Sequence, residues 1–392
     1  MTFHRHFIES GDFIVLIYYP SPCLLDQYPY SFSTSCNPNA AYQPRLWRRL
    51  LNTRLSGLLV GLQELFGGVF VRHSWIAKAN EFDPDFVFTV AGSWDWTALA
   101  AKRLARILDV PLVASFNDWY DYGSFQAWGI FRALIRWRFF RLFRTCELAL
   151  CTSANMQSAL GGGIHSHILY PTGANLAKND FDYHPQLHGV ECPMRILFGG
   201  SLGDWYGPML EDLVSLYLKG DSQFLSFQIY GANQTWSSSF ERRAIDLGIY
   251  HGLVSFDDLV NRARGSDVLL LLMGFGEHAR VVESTSFKTK FLDYLAFRRP
   301  ILVWGPEYCT AVTVAKQFDS AEIVTDPSPV VCLDALHSLA SNPERREALI
   351  TNAAAMLDGD FHPSKIHQGL LERLQSLAGI SDRDGSDHPH YF

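Results

Sequence analysis

What most limits the folds open to this chain is a rhythm that runs through it twice. Short apolar runs, of strand length, alternate with stretches of helical periodicity. The first pass reads "FIVLIYYPSP" (13–22), "DFVFTVAG" (85–92), a helix "DWTALAAKRLARILD" (95–109), "VPLVASFND" (110–118), a helix over about 125–145, "CELALCTS" (146–153) and "SHILYPTG" (166–173). A polar, Pro-containing stretch without period (174–193) then interrupts it. The second pass reads "MRILFGG", a helix through "PMLEDLVSLYL", "FLSFQIYG" (224–231), a helix over 238–249, then a short strand, a helix and a buried strand within "YHGLVSFDDLVNRARGSDVLLLLMGFG". Strands that alternate with helices pair in parallel, because each crossover returns the chain to the same end of the sheet. The fold class expected is α/β, as two Rossmann-like doubly wound domains. Such a pair should face a central cleft at the carboxyl ends of both sheets. The expected boundaries are 1–185 and 190–360, with a helix over 361–380 crossing back to the first domain and a disordered tail over 381–392.

Composition removes several function classes. A net charge of −7 argues against a nucleic-acid binder, which needs a basic excess. Seven scattered cysteines without a CxxC pair read as reduced thiols, which places the expectation in the cytoplasm. No apolar run approaches the roughly 18 residues of a membrane span. The fourteen histidines show no ligand spacing, so neither a metal nor a cofactor is expected.

Chemistry concentrates in "STSFKTKFLDYLAFRRPILVWGP" (284–306). A short apolar helix carries Lys288 and Lys290 at its entrance, and Asp293 follows on the face of Lys290. A core helix wants none of these. A diphosphate wants cations and helix N-terminal amides, and a ribose with vicinal hydroxyls suits a carboxylate. Solvated lysines and a carboxylate on the helix dipole are the plain alternative. The turn "GGSLGDWYG" (199–207) follows a strand and precedes a helix, where Gly200 and Gly203 let backbone approach a phosphate. An ordinary strand-to-helix turn would look the same.

Taken in order, "ILFGGSLGDWYG", "FQIYG", "HGLVSFDDLVNRARGSDVLLL" and "SFKTKFLDYLAFRRPILVWGP" resemble the second domain of the retaining nucleotide-sugar glycosyltransferases of family 4, whose architecture is called GT-B. "FDPDFVFTVAG", "LARILDVPLVASFND", "CELALCTSANMQSAL" and "ILYPTGAN" fall in the family's order too, so the likeness covers roughly residues 83 to 375. It implies a nucleoside-diphosphate-sugar donor and a saccharide or lipid-linked acceptor. It also implies transfer with retention, a setting in surface polysaccharide or lipopolysaccharide assembly, and no nucleic acid. By resemblance Asp293 is the ribose acid, and Lys288 or Lys290 faces the diphosphate. Thr285 stands in register with the family's other acid, and Glu283 lies nearby out of register. Ser201 and Tyr206 stand where the family has a basic pair, and Arg298 where it prefers Gly.

On the acceptor side the family often has a His-Asp pair, and this chain has Asn117 and Asp118. Asn cannot accept a proton as a general base, so that step falls to Asp118, the substrate or the leaving phosphate. Capping of a strand end is the structural alternative for both residues. The start of the chain reads as the end of a first helix followed by a second strand, so the first strand and most of the first helix are expected to be missing. The stretch "WGIFRALIRWRFFRLFRTC" (128–146) interleaves five arginines with aromatics. It is either a core helix or a peripheral contact with the inner face of a membrane. Two other functions share the architecture, a sugar-nucleotide 2-epimerase and a catalytically inactive relic that binds nucleotide or a protein partner.

Overall fold

The computed structural model describes residues 17–19, 31–33, 56–66, 69, 71, 73–92, 95–120, 129–174, 176, 187–189, 191–203, 205–220, 224–232 and 235–379. Their contacts form two units. One holds the described residues through Leu169 and those from His367 onward; the other is Tyr170–Ile366. The expectation of a missing first strand and helix rests on residues outside the described set, as does the tail over 381–392.

In the first unit β1 (Ile17–Tyr19) and β2 (Ser31–Ser33) form a small parallel pair. Helices α1 (Ser56–Phe66) and α2 (His73–Phe82) precede β3 (Val87–Ala91). Then come α3 (Asp95–Leu108), β4 (Leu112–Phe116), α4 (Gly129–Thr145), β5 (Leu148–Cys151), α5 (Ala154–Leu160) and β6 (Ser166–Ile168). Strands β3-β4-β5-β6 make one parallel sheet in sequence order. Every residue of β4 and β5 is buried, as parallel strands covered on both faces require. Phe116 packs edge-on against Phe139 and Phe143 of α4 at 5.2 and 5.5 Å, which docks that helix on the sheet.

The second unit runs β7 (Met194–Gly199), α6 (Tyr206–Tyr217), β8 (Leu225–Tyr230), α7 (Ser238–Asp246), α8 (Phe256–Arg264) and β9 (Val268–Leu272). It continues with α9 (Glu277–Thr285), α10 (Thr289–Ala296), β10 (Ile301–Trp304), α11 (Thr310–Phe318), β11 (Glu322–Val324), α12 (Pro329–Ser341) and α13 (Pro343–Asp358). The last helix, α14 (Pro363–Leu377), starts in this unit and ends in the other.

All five strands are parallel, in the order β11-β10-β9-β7-β8. Side-chain alternation splits the unit into two cores. Met194, Ile196 and Phe198 of β7 join Leu210 and Leu213 of α6 on one face, while Leu197 joins Phe291 and Leu295 of α10 on the other. This is the doubly wound α/β class expected. The order reverses at β7, between β8 and β9, which makes the carboxyl ends of β7 and β9 the topological switch point where such sheets bind ligands.

Three local readings change. The short strand expected near residue 250 does not form: Tyr250 makes a single bridge to Ile229, because Gly248 and Gly252 on either side take φ 67 and 73. The helix after the glycine turn begins at Tyr206, ahead of Pro208. Helices α9 and α11, which the periodicity did not announce, complete the second unit.

Candidate functional site

The turn after β7 is anchored from two sides. Its first residue, Gly199, donates its N–H to the buried Tyr294 hydroxyl of α10 at 3.0 Å. Gly200 donates to the Tyr230 carbonyl at 2.9 Å, and Leu202 to that of Ala232. Gly200 adopts φ 150, and a Cβ there would run into the Lys290 ammonium. The positive φ is what favours glycine there, and the absence of a Cβ leaves room for the lysine beside it. Ser201 is exposed, and its hydroxyl accepts from the Gly203 N–H at 3.3 Å. The Gly203 carbonyl accepts from Tyr206, which starts α6.

Across from this turn stands the N-terminus of α10. Its N-cap is Lys288, which supplies no side-chain cap, so the first amides of the helix have no side-chain acceptor from that position. The Lys290 ammonium lies 4.4 Å from the centre of the Phe198 ring and 6.0 Å from that of Tyr206, and Lys288 is 6.0 Å above the same tyrosine. Withdrawal from water, reinforced by repulsion from Lys288, lowers the Lys290 pKa to about 8; Glu283 and Asp293 pull it partly back. Asp293 is itself buried, at 8% exposure.

Glu283 holds the arrangement together, a role the sequence register did not reveal. Fully buried on α9, its Oε1 accepts from Trp205 Nε1 at 2.9 Å, the Tyr206 hydroxyl at 2.8 Å and the Gly274 N–H at 3.3 Å. Its Oε2 has no hydrogen-bond partner and faces the Lys288 ammonium at 3.5 Å. One carboxylate therefore ties the turn after β7 to the turn after β9 and orients a cation between them. Thr285, the residue in the family's register, is buried at the end of α9 and donates its hydroxyl to the Val281 carbonyl at 2.7 Å.

Of the sequence candidates, Lys288, Lys290, Asp293, Thr285, Gly200, Ser201, Gly203 and Tyr206 all lie in the second unit, on the turn after β7 and the segments α9 and α10. Ser201 and Tyr206, which the resemblance puts in the place of the family's basic pair, lie on the turn after β7 and at the start of α6. The cations beside them are Lys288 and Lys290 at the start of α10. Asn117 and Asp118 follow the carboxyl end of β4 in the first unit, where the Asn117 side-chain oxygen accepts from the Ser115 hydroxyl at 2.9 Å. Among the described residues, no group of three or more His, Cys, Asp and Glu is placed to hold a metal ion.

No protein-family model matches the chain, and no curated protein matches it in sequence. Solved structures do match it in shape. A sucrose-phosphate synthase from Thermosynechococcus elongatus aligns with TM-score 0.59 at 13% identity, over 90% of this chain and 84% of its own. Anabaena HepE in complex with UDP and glucose aligns with TM-score 0.58 at 15% identity, over 90% and 88%. A UDP-forming α,α-trehalose-phosphate synthase from Burkholderia vietnamiensis aligns with TM-score 0.55 at 13% identity, over 88% of each. The fold is that of the GT-B glycosyltransferases.

Proposed function

We propose that this protein is a glycosyltransferase that takes its sugar from a nucleoside-diphosphate donor bound in the second unit. The observation that carries the reading is the position of Lys290, whose ammonium rests against Gly200 between the glycine turn and the open N-terminus of α10. A diphosphate there would meet two ammonium groups, helix amides and the backbone of the turn, so a metal ion is not needed for charge neutralisation. HepE, crystallised with UDP and glucose, supports a nucleotide donor and a saccharide acceptor here.

Roles follow for the chain's own residues. Lys290 and Lys288 hold the diphosphate and favour the charge that builds on it as the glycosidic bond breaks. Asp293 accepts from the ribose hydroxyls, as in the family-4 resemblance. Glu283 fixes Lys288 and both turns, so that the cations are in place before the donor arrives. In the retaining reading, the acceptor hydroxyl attacks the face the phosphate leaves, and that phosphate takes the proton. Asn117 then needs no basicity, and Asp118 orients the acceptor. The acceptor would be a saccharide or a lipid-linked saccharide of a surface polysaccharide pathway, handled on the cytoplasmic side.

The test is turnover of radiolabelled nucleoside-diphosphate hexoses, with the anomeric configuration of the product or of the released sugar read by NMR. Release with retained configuration, lost in Lys290→Met, supports the reading. Binding of nucleotide with no turnover of any donor leaves the relic. Recovery of the donor with its C2 centre inverted would instead make the protein an epimerase.

A further inference from the structure

Two ammonium groups converge on one ring at the start of α6. Lys288 Nζ and Lys290 Nζ each lie 6.0 Å from the centre of the Tyr206 ring, at the outer reach of a cation–π contact. Each has a further anchor of its own. Lys290 sits 4.4 Å from the centre of the Phe198 ring, and Lys288 pairs with Glu283 Oε2 at 3.5 Å. Tyr206 is the ring that the two cations share.

Keeping the pair together needs something between them. Burial depresses the Lys290 pKa most, and repulsion from Lys288 adds to it. An ammonium on a flexible stem is strongly hydrated, so two such groups left alone would part toward water. A carboxylate between them would end the repulsion and also cancel the charge that a diphosphate needs. A basic side chain, which the family-4 resemblance implies at Tyr206, would add a third cation. An aromatic face attracts ammonium groups through its quadrupole and has no net charge. It steadies both lysines and leaves them cationic.

The ring is itself held from several sides. Its hydroxyl donates to the buried Glu283 Oε1 at 2.8 Å. A hydrogen bond to a carboxylate draws the phenol toward phenolate character and makes its face more negative. The Tyr206 N–H donates to the Gly203 carbonyl at 3.2 Å, and the Trp205 ring meets the phenol edge-on at 5.6 Å. One residue on, the Gly207 carbonyl accepts from the buried Trp236 indole at 2.7 Å, and a Cβ on Gly207 would strike the Leu202 carbonyl. The first turn of α6 is therefore fixed before any ligand arrives.

We propose that Tyr206 is a positioning residue of the donor site. Its ring holds Lys288 and Lys290 side by side for the diphosphate, in place of the basic side chain the resemblance implies, and it acts through the lysines rather than on the phosphate. This rests on the reading of the site as one for a nucleoside diphosphate.

The test compares Tyr206→Phe with Tyr206→Leu in the full chain. Both lack the hydroxyl, so the difference between them is the ring. The first readout is the titration of Lys290 by NMR of 13C-labelled lysine, its signal identified by its loss in Lys290→Met. Lys290 should release its proton at a pH lower in the Leu variant than in the Phe variant by about 0.5–1 unit, since the ring favours the charged form. The second readout is calorimetric titration at pH 7 with UDP and with inorganic pyrophosphate, which needs no particular base. The Leu variant should bind about tenfold more weakly than the Phe variant. Equal titration or equal affinity in the two variants overturns the proposal. So does an upward move of the Lys290 titration in the Leu variant, the mark of a merely structural side chain whose loss admits water. Circular dichroism checks the fold, and Tyr206→Met replaces the Leu variant if that one does not fold. Should the parent bind neither ligand while the ring still governs the titration, the ring's hold on the lysines stands and the donor reading fails.

Discussion

Glu283 Oε1 accepts a hydrogen bond from the indole of Trp205 at 2.9 Å across 78 residues of sequence, and from the neighbouring Tyr206 hydroxyl at 2.8 Å. A fully buried carboxylate with these donors and a lysine at 3.5 Å is costly to alter. Glu283→Ala would leave two ring donors and a lysine without their acceptor, at about 2–4 kcal/mol of stability. Glu283→Gln keeps an oxygen for one donor but no charge for Lys288, so a smaller loss, about 1–2 kcal/mol, is expected. Urea unfolding of both variants checks the order.

That contact also shows what the sequence could convey. The alternation of strands and helices was readable because period 2 and period 3.6 are local properties, and the parallel sheets follow from them. The lysines of α10 were readable because cations at the entrance of an apolar helix are out of place. Glu283 was not, since its partners are far away in sequence and its offset from the family register hid it. One local sign existed. Ala279, Val282 and Glu283 share the buried side of α9, and an acid on the apolar side of a helix implies partners. Helix α9 itself is short and follows "GFG", so its period had too few turns to stand out.

Lys290 should make stability and binding respond to pH in opposite directions. The unfolded chain keeps this proton up to about pH 10.4, whereas the folded chain releases it near pH 8, so the unfolded state binds more protons in between. Stability contributed at this site therefore rises as pH goes from about 8 to about 10, by an amount on the order of 2 kcal/mol. Nucleoside-diphosphate affinity should fall over the same interval, since the neutral amine no longer attracts phosphate. Lys290→Met should remove both trends and raise the melting temperature at pH 7, as measured by thermal melts and calorimetric titrations.

Tyr294 holds the start of the glycine turn through the Gly199 N–H. Tyr294→Phe would leave that buried amide unpaired, for a loss of about 1–3 kcal/mol. If the turn contacts phosphate, the variant should also bind nucleotide more weakly. Hydrogen exchange at Gly199 would report the lost bond directly.

Arg298 follows α10 with φ 51, a left-handed conformation that glycine adopts without strain, at a position where the family-4 resemblance implies glycine. Its guanidinium gains only a 3.9 Å pair with the partly exposed Asp358. Arg298→Gly should therefore stabilise the protein by about 0.5–1 kcal/mol, and Arg298→Val should destabilise it. Paired denaturant curves decide the sign.

The most direct test of the donor site is a thermal-shift panel of UDP, GDP, ADP, TDP and CMP on the parent, Lys290→Met and Asp293→Ala. One nucleoside diphosphate should raise the parent's melting temperature, and both variants should lose most of that shift, which would also identify the donor's base. No shift with any nucleotide, or an equal shift in all three proteins, would contradict the assignment of the site to Lys290 and Asp293.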